Sequence, residues 1–274
     1  MVPKKRLDVI LVEQGFFENR SQAKSAIMAG KVLVNGELVD KAGTLFKGDY
    51  EIRIKGEVLP YVSRGGFKLE KALRVFAIDV DKKEAIDIGA STGGFTDCLL
   101  QNGAARVYAI DVGYGQLAWK LRNDNRVEVI ERTNFRYLSY EDLPVKVPLV
   151  VTDVSFISLR LIIPSALQFL SADGDIVALI KPQFEAGAER VGKNGLVKDK
   201  KIHVQVLREI VDFFIHINLS VEGLDFSPIT GASSNNIEFL VQLKQNNNLV
   251  RDKSDYYKRI EELVEEAHNN LERS

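Results

Sequence analysis

Two hydrophobic periods run along this chain, and the change from one arrangement to the other divides it. Arg6-Leu-Asp-Val-Ile-Leu-Val-Glu-Gln-Gly15 reads as a short amphipathic helix closed by Gly15. Asn19-Arg-Ser21 can cap a second helix, Gln22–Ala29, closed by Gly30. Lys31–Val39 alternates on either side of Asn35-Gly36, which predicts a hairpin, and Asp49–Ile54 adds a further alternating strand. Residues 55–62 read as a linker, and 63–76 as a helix. From 84 onward apolar runs alternate with helical patterns. Strands are expected at 84–88, 106–111, 126–130, 147–153, 174–181, 217–224 and 237–244, and helices near 93–102, 114–122, 158–170 and 200–215. Such alternation predicts an α/β doubly wound sheet with helices on both faces. A final helix is expected at 254–271, beyond Asn246-Asn-Asn248, where Tyr257, Ile260, Leu263, Val264, Ala267 and Leu271 repeat at helical spacing. It reads as a packing helix.

The most telling stretch is Asp87-Ile-Gly-Ala-Ser-Thr-Gly-Gly-Phe-Thr96, followed by Tyr108-Ala-Ile-Asp111. A buried strand runs into a loop with Gly89, Gly93 and Gly94. A helix follows, and the next strand ends in a carboxylate. Glycines let a ligand lie against backbone N–H groups. A carboxylate at the tip of the next parallel strand can accept both ribose hydroxyls of a nucleoside. The spacing departs from the dinucleotide fingerprint, because Ser91 stands where the close-approach glycine for a pyrophosphate belongs. Asp87 would also sit badly beside a phosphate and suits a cation. S-adenosylmethionine carries a sulfonium and an ammonium and no phosphate, so a methyltransferase is expected. Asp87, Gly89, Ser91, Gly93 and Gly94 would approach its methionine part and Asp111 its ribose. Thr133, Asn134 and Phe135, after the third strand, could meet the adenine edge.

Bulk properties narrow the field only a little. The 274 residues are 45% hydrophobic and 27% charged, an ordinary globular composition, with a formal net charge of −1. Charge is uneven: residues 1–71 hold 13 Lys+Arg against 9 Asp+Glu, a net of +4, which makes the front the face for phosphates. One cysteine, Cys98, excludes disulfide frameworks and Cys-rich zinc sites and reads as a core residue. His203, His216 and His268 lack metal-ligand spacing, so no metal is expected, and the first two read as surface or packing residues on one helix. Trp119 is expected to pack. No apolar run approaches the roughly 18 residues that span a bilayer, and no secretory signal is visible. A cytoplasmic protein with no membrane partner and no obligatory protein partner is expected.

The αα-turn-β order of residues 1–60 resembles the S4 RNA-binding domain, a small α+β module. The resemblance rests on Arg6-Leu-Asp8, Gly15, Arg20-Ser21, Ala26, Gly30-Lys31-Val32 and Val34-Asn35-Gly36. It implies that Lys5, Arg6, Arg20, Lys24 and Lys31 face structured RNA, joined by Arg64 at the start of the next domain. Structured RNA is read mainly through shape and backbone, which needs placed cations.

Four charged residues stand where a methyl-transfer site would be built. Lys68 lies in Ser63-Arg-Gly-Gly-Phe-Lys68. Asp153 ends Pro148-Leu-Val-Val-Thr-Asp153, Lys181 ends Ile176-Val-Ala-Leu-Ile-Lys181, and Glu238 begins the last strand. Charges at the ends of buried strands are costly unless paired or used. A Lys–Asp–Lys–Glu set on such a sheet resembles the FtsJ-type ribose 2′-O-methyltransferases. With the S4-like module in front, the chain resembles the TlyA family, also labelled hemolysin A. Asp111-Val-Gly-Tyr-Gly-Gln116, Arg132-Thr-Asn134, Asp153-Val-Ser-Phe-Ile-Ser158 and Lys181-Pro-Gln-Phe-Glu185 support it across nearly the whole chain.

The resemblance implies a Rossmann-like class I methyltransferase sheet of seven strands, the last antiparallel, over 61–245, with 246–274 as a helical extension. It implies transfer of methyl from S-adenosylmethionine to a cytidine 2′-hydroxyl of ribosomal RNA, free or in ribosomal subunits. Lys181 would deprotonate that hydroxyl, which only a neutral amine can do. A second cation, Lys68, favours the neutral form, whereas Asp153 and Glu238 favour the charged one and would orient the lysine. Gln183–Asp199, with Arg190, Lys193 and Lys198, reads as a mobile loop over the RNA or the cofactor. Four other readings compete: a non-catalytic RNA-binding protein, a small-molecule methyltransferase, another S4-bearing RNA enzyme such as a pseudouridine synthase, and a pore-forming haemolysin. The pore would need a lipid-facing apolar surface that nothing here supplies.

Overall fold

The computed structural model describes residues 4–14, 16–17, 19–47, 50–55, 60–231, 235–245 and 253–271. The closing Gly15, Asp49 at the start of its expected strand, residues 56–59 of the 55–62 linker and Asn246–Asn248 lie outside the described residues. The chain forms two compact units, Met1–Pro60 and Tyr61–Ser274.

In the first unit β1 (Lys5–Arg6) leads into α1 (Leu7–Glu13), and α2 (Arg20–Met28) follows. Asn19 caps α2 by accepting from Gln22 N–H at 3.0 Å, as its position before the apolar pattern requires. Then come β2 (Val32–Val34), β3 (Glu37–Leu38), β4 (Leu45–Phe46) and β5 (Ile52–Ile54). β2 pairs with β3 across Asn35-Gly36, both at positive φ (53° and 84°), the backbone that a two-residue hairpin demands. Leu7, Leu11, Ala23, Ile27 and Val32 close the small core.

The second unit starts with α3 (Gly65–Val75). Alternation follows: β6 (Glu84–Ile88), α4 (Gly94–Gln101), β7 (Arg106–Ile110), α5 (Trp119–Arg122), β8 (Val127–Ile130), β9 (Val147–Thr152), α6 (Leu159–Ala166), β10 (Leu170–Ile180) and α7 (Pro182–Glu185). α8 (Lys200–His216), β11 (Leu219–Phe226), β12 (Phe239–Gln245) and α9 (Lys253–Leu271) complete it. The seven strands stand in the order β11-β12-β10-β9-β6-β7-β8, with β12 antiparallel to both neighbours. β9 is buried on both faces, which is why it reads as a continuous apolar run. On one face Phe169, Phe214 and Leu263 pack with α6, α8 and α9. On the other Leu69, Cys98 and Leu99 pack from α3 and α4. Burial pushes the Cys98 thiol up to about 12, so it is an inert core group.

Three expectations need correction. β10 begins at Leu170, four residues early, because a register shift between Leu170 and Asp175 absorbs the polar Ser171–Gly174 stretch. Trp119 is 67% exposed: α5 is a single turn, and only its Leu121 points into the core. Gln183–Asp199 is not a free loop. It opens with α7 and is anchored at Arg190, which grips Glu209 at 2.9 and 3.0 Å, and at buried Val197, whose N–H donates to Asn236 Oδ1 at 2.8 Å.

Candidate functional site

One sheet edge gathers the chemistry. In the parallel register Ile88 lies beside Ile110 on one side and Thr152 on the other, so Gly89, Asp111 and Asp153 leave neighbouring strands side by side. β10 brings Lys181 to the same edge. β12 runs the opposite way, and Ile180 pairs with Phe239, so Glu238 just before β12 arrives beside Lys181. Helix α3 carries Lys68 across from the other face. It can come close because Gly94 has no side chain: a Cβ there would sit 3.0 Å from Gly66 N and 2.3 Å from Ser63 Oγ. Gly93 starts α4 at φ 95°, where a Cβ would strike Leu121 at 2.3 Å.

The four charged side chains converge as one cluster. Lys68 Nζ donates to Glu238 Oε2 at 2.6 Å and to Asp153 Oδ2 at 3.2 Å. Lys181 Nζ lies 2.6 Å from Asp153 Oδ1 and donates to Ser155 Oγ at 2.9 Å. Lys68, Lys181 and Glu238 are at most 7% exposed. Burial works against the Lys68 charge, but Asp153 and Glu238 outweigh it and hold its pKa above the ordinary lysine value. Burial likewise opposes the Asp153 charge, yet the two lysines hold it below the ordinary range. Glu238 goes the other way: burial pushes it up further than Lys68 pulls it down.

Two cavities meet at this edge. One, of about 380 Å³, is walled by Lys68, Asp87, Asp153, Lys181 and the Ser91–Thr92 turn. The other, of about 460 Å³, lies between Asp111, Val112, Asn134, Phe135 and Phe156. Gly89, Ser91, Asp153 and Ser155 border both. Asp87 is 1% exposed; its Oδ2 accepts from Thr96 Oγ1 at 2.7 Å, and its buried Oδ1 has no hydrogen-bond partner among the described residues. Burial raises its pKa to about 7. An orphaned carboxylate oxygen on a cavity wall suits a cationic donor group. Asp111 is held by Ser91 N–H (2.7 Å) and Gly113 N–H (2.6 Å), which leaves further lone pairs for hydroxyls. Among the described residues no basic side chain lines the second cavity. The donor set fits a nucleoside that carries a cation and no phosphate.

Sequence reasoning missed Thr96, Ser155 and Phe156. Thr96 and Ser155 sit within the motifs singled out, but their partners are set by folding. Phe156, in the same motif as Ser155, is 90% exposed and left-handed (φ 63°), with its ring 5.1 Å from Phe184, a placement set by folding.

In the first unit Asp8 is fully buried and accepts from Arg6 Nε at 2.9 Å and Arg20 Nη2 at 2.9 Å, which pull it down to about 2. Both arginines keep about half of their side chains exposed (46% and 53%). Lys5 pairs with Glu13 at 2.6 Å. Lys24 and Lys31 are exposed with no ion pair among the described residues. Arg64 is exposed on the wall of the reaction cavity. His203 and His268 form a buried pair, Nδ1 to Nε2, at 2.9 Å, whereas His216 is exposed. Among the described residues no group of three His, Cys, Asp or Glu could hold a metal, and no helix is long and apolar enough to cross a membrane.

Comparison with known proteins agrees with this geometry. A family model described as FtsJ-like methyltransferase matches residues 61–245, and one for the S4 domain matches 5–52. The Bacillus subtilis protein YqxC is 52% identical over 98% of this chain and 95% of its own length. The 16S/23S rRNA (cytidine-2'-O)-methyltransferase TlyA of Mycobacterium tuberculosis is 42% identical over 89% of this chain and 91% of its own. A solved Streptococcus thermophilus structure matches with a TM-score of 0.76 at 49% identity, covering 100% of this chain and 98% of the other. The chain therefore belongs to the TlyA family of S4-bearing, FtsJ-like methyltransferases.

Proposed function

We propose that this protein transfers a methyl group from S-adenosylmethionine to a cytidine 2′-hydroxyl of ribosomal RNA. The observation that carries the reading is the buried Lys68–Asp153–Lys181–Glu238 cluster, of which Lys68, Asp153 and Lys181 share a cavity wall with Asp87, whose Oδ1 has no partner among the described residues. The relatives' printed activities support the substrate.

The sulfonium of the bound donor supplies an activated methyl group, so the protein's work is alignment and removal of one proton. Asp87 engages the donor's ammonium, and Gly89, Ser91, Gly93 and Gly94 let the backbone approach its methionine part. Asp111 accepts from its ribose, while Asn134 and Phe135 border its base. Lys181, in its neutral form, contacts the 2′-hydroxyl and takes its proton. Asp153 and Ser155 aim the amine, and Asp153 stabilises the ammonium that results. Lys68 bridges Asp153 and Glu238, which compensates two buried carboxylates with one cation. The exposed Lys24 and Lys31, with the outward edges of Arg6 and Arg20, Lys5 beside them and Arg64 at the cavity, meet RNA phosphates. The domain limits follow the same division: 1–60 for RNA, 61–245 for chemistry, 246–274 as a helical extension.

The test is transfer of labelled methyl to purified ribosomal subunits lacking the modification, followed by digestion to nucleosides. Label in 2′-O-methylcytidine is expected. Label on a base, or none on subunits or free rRNA from a protein that binds the donor, would overturn the reading.

A further inference from the structure

A third cavity, of about 690 Å³, opens beside the reaction cavity, and Arg64, Ile229 and Thr230 stand in the walls of both. Its own walls come from Leu196–Lys198, from Pro228–Thr230 with Asn235 and Ile237, and from the end of α9 at His268 and Leu271. Apolar surface from Pro228, Ile237 and Leu271 forms one part. Arg64 and Lys198 are exposed, and neither has a carboxylate partner among the described residues.

That absence of partners matters because of what lies next door. The two lysines of the reaction cavity are already neutralised by Asp153 and Glu238. Their charge is spent inside the protein, so an RNA strand entering that cavity must find compensation for its phosphates elsewhere. Arg64 and Lys198 supply it at the boundary and on the far rim.

The wall that carries Lys198 is also fixed in place. Val197 N–H donates to Asn236 Oδ1 at 2.8 Å, and Asn236 Nδ2 donates to Gly195 O at 2.8 Å. Val197 O faces His203 Nε2 at 3.1 Å. A carbonyl can only accept, so His203 carries a proton on Nε2, and in the neutral ring its Nδ1 then accepts from His268 Nε2–H at 2.9 Å. A chain of hydrogen bonds thus ties the last turn of α9 to the backbone beside Lys198. This gives the C-terminal helix a purpose beyond packing.

We propose that this third cavity holds the nucleotide adjacent to the methylated one in the same RNA strand. Its phosphate lies between Arg64 and Lys198, and its base lies on the apolar wall of Pro228, Ile237 and Leu271. The assignment rests on the RNA-methylating reading above. It explains how a cavity with neutralised lysines accepts a polyanion: the charge is met one nucleotide away from the chemistry.

The test compares the full-length protein with Lys198→Ala, a surface change, and Pro228→Trp, which fills the cavity from its rim. KM for unmodified ribosomal subunits, kcat and donor Kd are measured, with the salt dependence of RNA binding. The RNA KM should rise about tenfold in each, the effect of losing one good contact. Donor Kd and kcat should stay as in the wild type. For Lys198→Ala the salt slope should fall by about 1. A wild-type protein that methylates while both variants keep its RNA KM and salt slope overturns the cavity assignment alone. A wild-type protein that methylates no RNA overturns the reaction reading and this assignment with it.

Discussion

Both units contain a carboxylate held between two cations, and they use it in opposite ways. In the first, buried Asp8 is gripped by Arg6 and Arg20, whose side chains stay about half exposed. In the second, Asp153 lies between Lys68 and Lys181, each under 10% exposed. Arginine remains charged at any working pH, and its planar fork can bind a carboxylate on one edge and a phosphate on another. Lysine is a point charge that can give up its proton when its surroundings are dry. Under the proposed function, the same charge pattern would serve as a fixed RNA-facing surface in one place and as a proton-handling centre in the other. What separates them is cation type and burial.

The largest effect should come from Lys181→Ala. A positioned general base contributes about 10²–10⁴-fold, so single-turnover methyl transfer should fall by that factor while donor binding, read by calorimetry, persists. Undiminished transfer would make the buried cluster as static as the exposed one.

Next is Asp87→Asn. Losing a charge-assisted contact to an ammonium should weaken donor binding about 10–100-fold. The pH dependence has a definite sign. Only ionised Asp87 pairs with a cation, and its pKa is raised to about 7. Donor affinity should therefore fall about tenfold per pH unit below that value in the wild type, and stay flat in Asp87→Asn. For folding the same shift acts oppositely. An acid raised above its unfolded value, about 3.9, stabilises the fold at low pH and loses that contribution as pH climbs through about 7.

Arg20→Ala should weaken RNA binding about 5–10-fold and lower its salt slope by about 1, with donor Kd and the rate at saturating RNA unchanged. A change in that rate instead would blur the division between the units. The smallest effect belongs to Ser155→Ala, which removes one hydrogen bond from Lys181. Transfer should slow by about fivefold, and the pH–rate profile should shift, because the serine acts through the lysine's placement.

Much of this was legible beforehand, for identifiable reasons. Central strands such as β9, buried on both faces, leave unbroken apolar runs, and Gly93 and Gly94 announced the loop because close approach leaves no alternative there. Lys68, Asp153, Lys181 and Glu238 stood out because charge at the end of an apolar run is costly. Pairings across the fold leave no local trace. The His203–His268 contact joins residues 65 apart in sequence. Asp8 as the anchor of both arginines was equally hidden, since an acidic residue in a helix's first turn is ordinary. Trp119 misled because bulk and apolarity predict burial, whereas a four-residue helix has little inward face to offer.

The most direct measurement replaces Lys181 with arginine, which keeps the positive charge and cannot act as a base. Labelled methyl transfer to unmodified ribosomal subunits would be followed to the nucleoside, beside donor binding. The expected result is 2′-O-methylcytidine from the wild type and almost none from Lys181→Arg, with donor affinity intact. Full activity in Lys181→Arg would contradict proton removal by Lys181 and reduce the buried cluster to fixed charges.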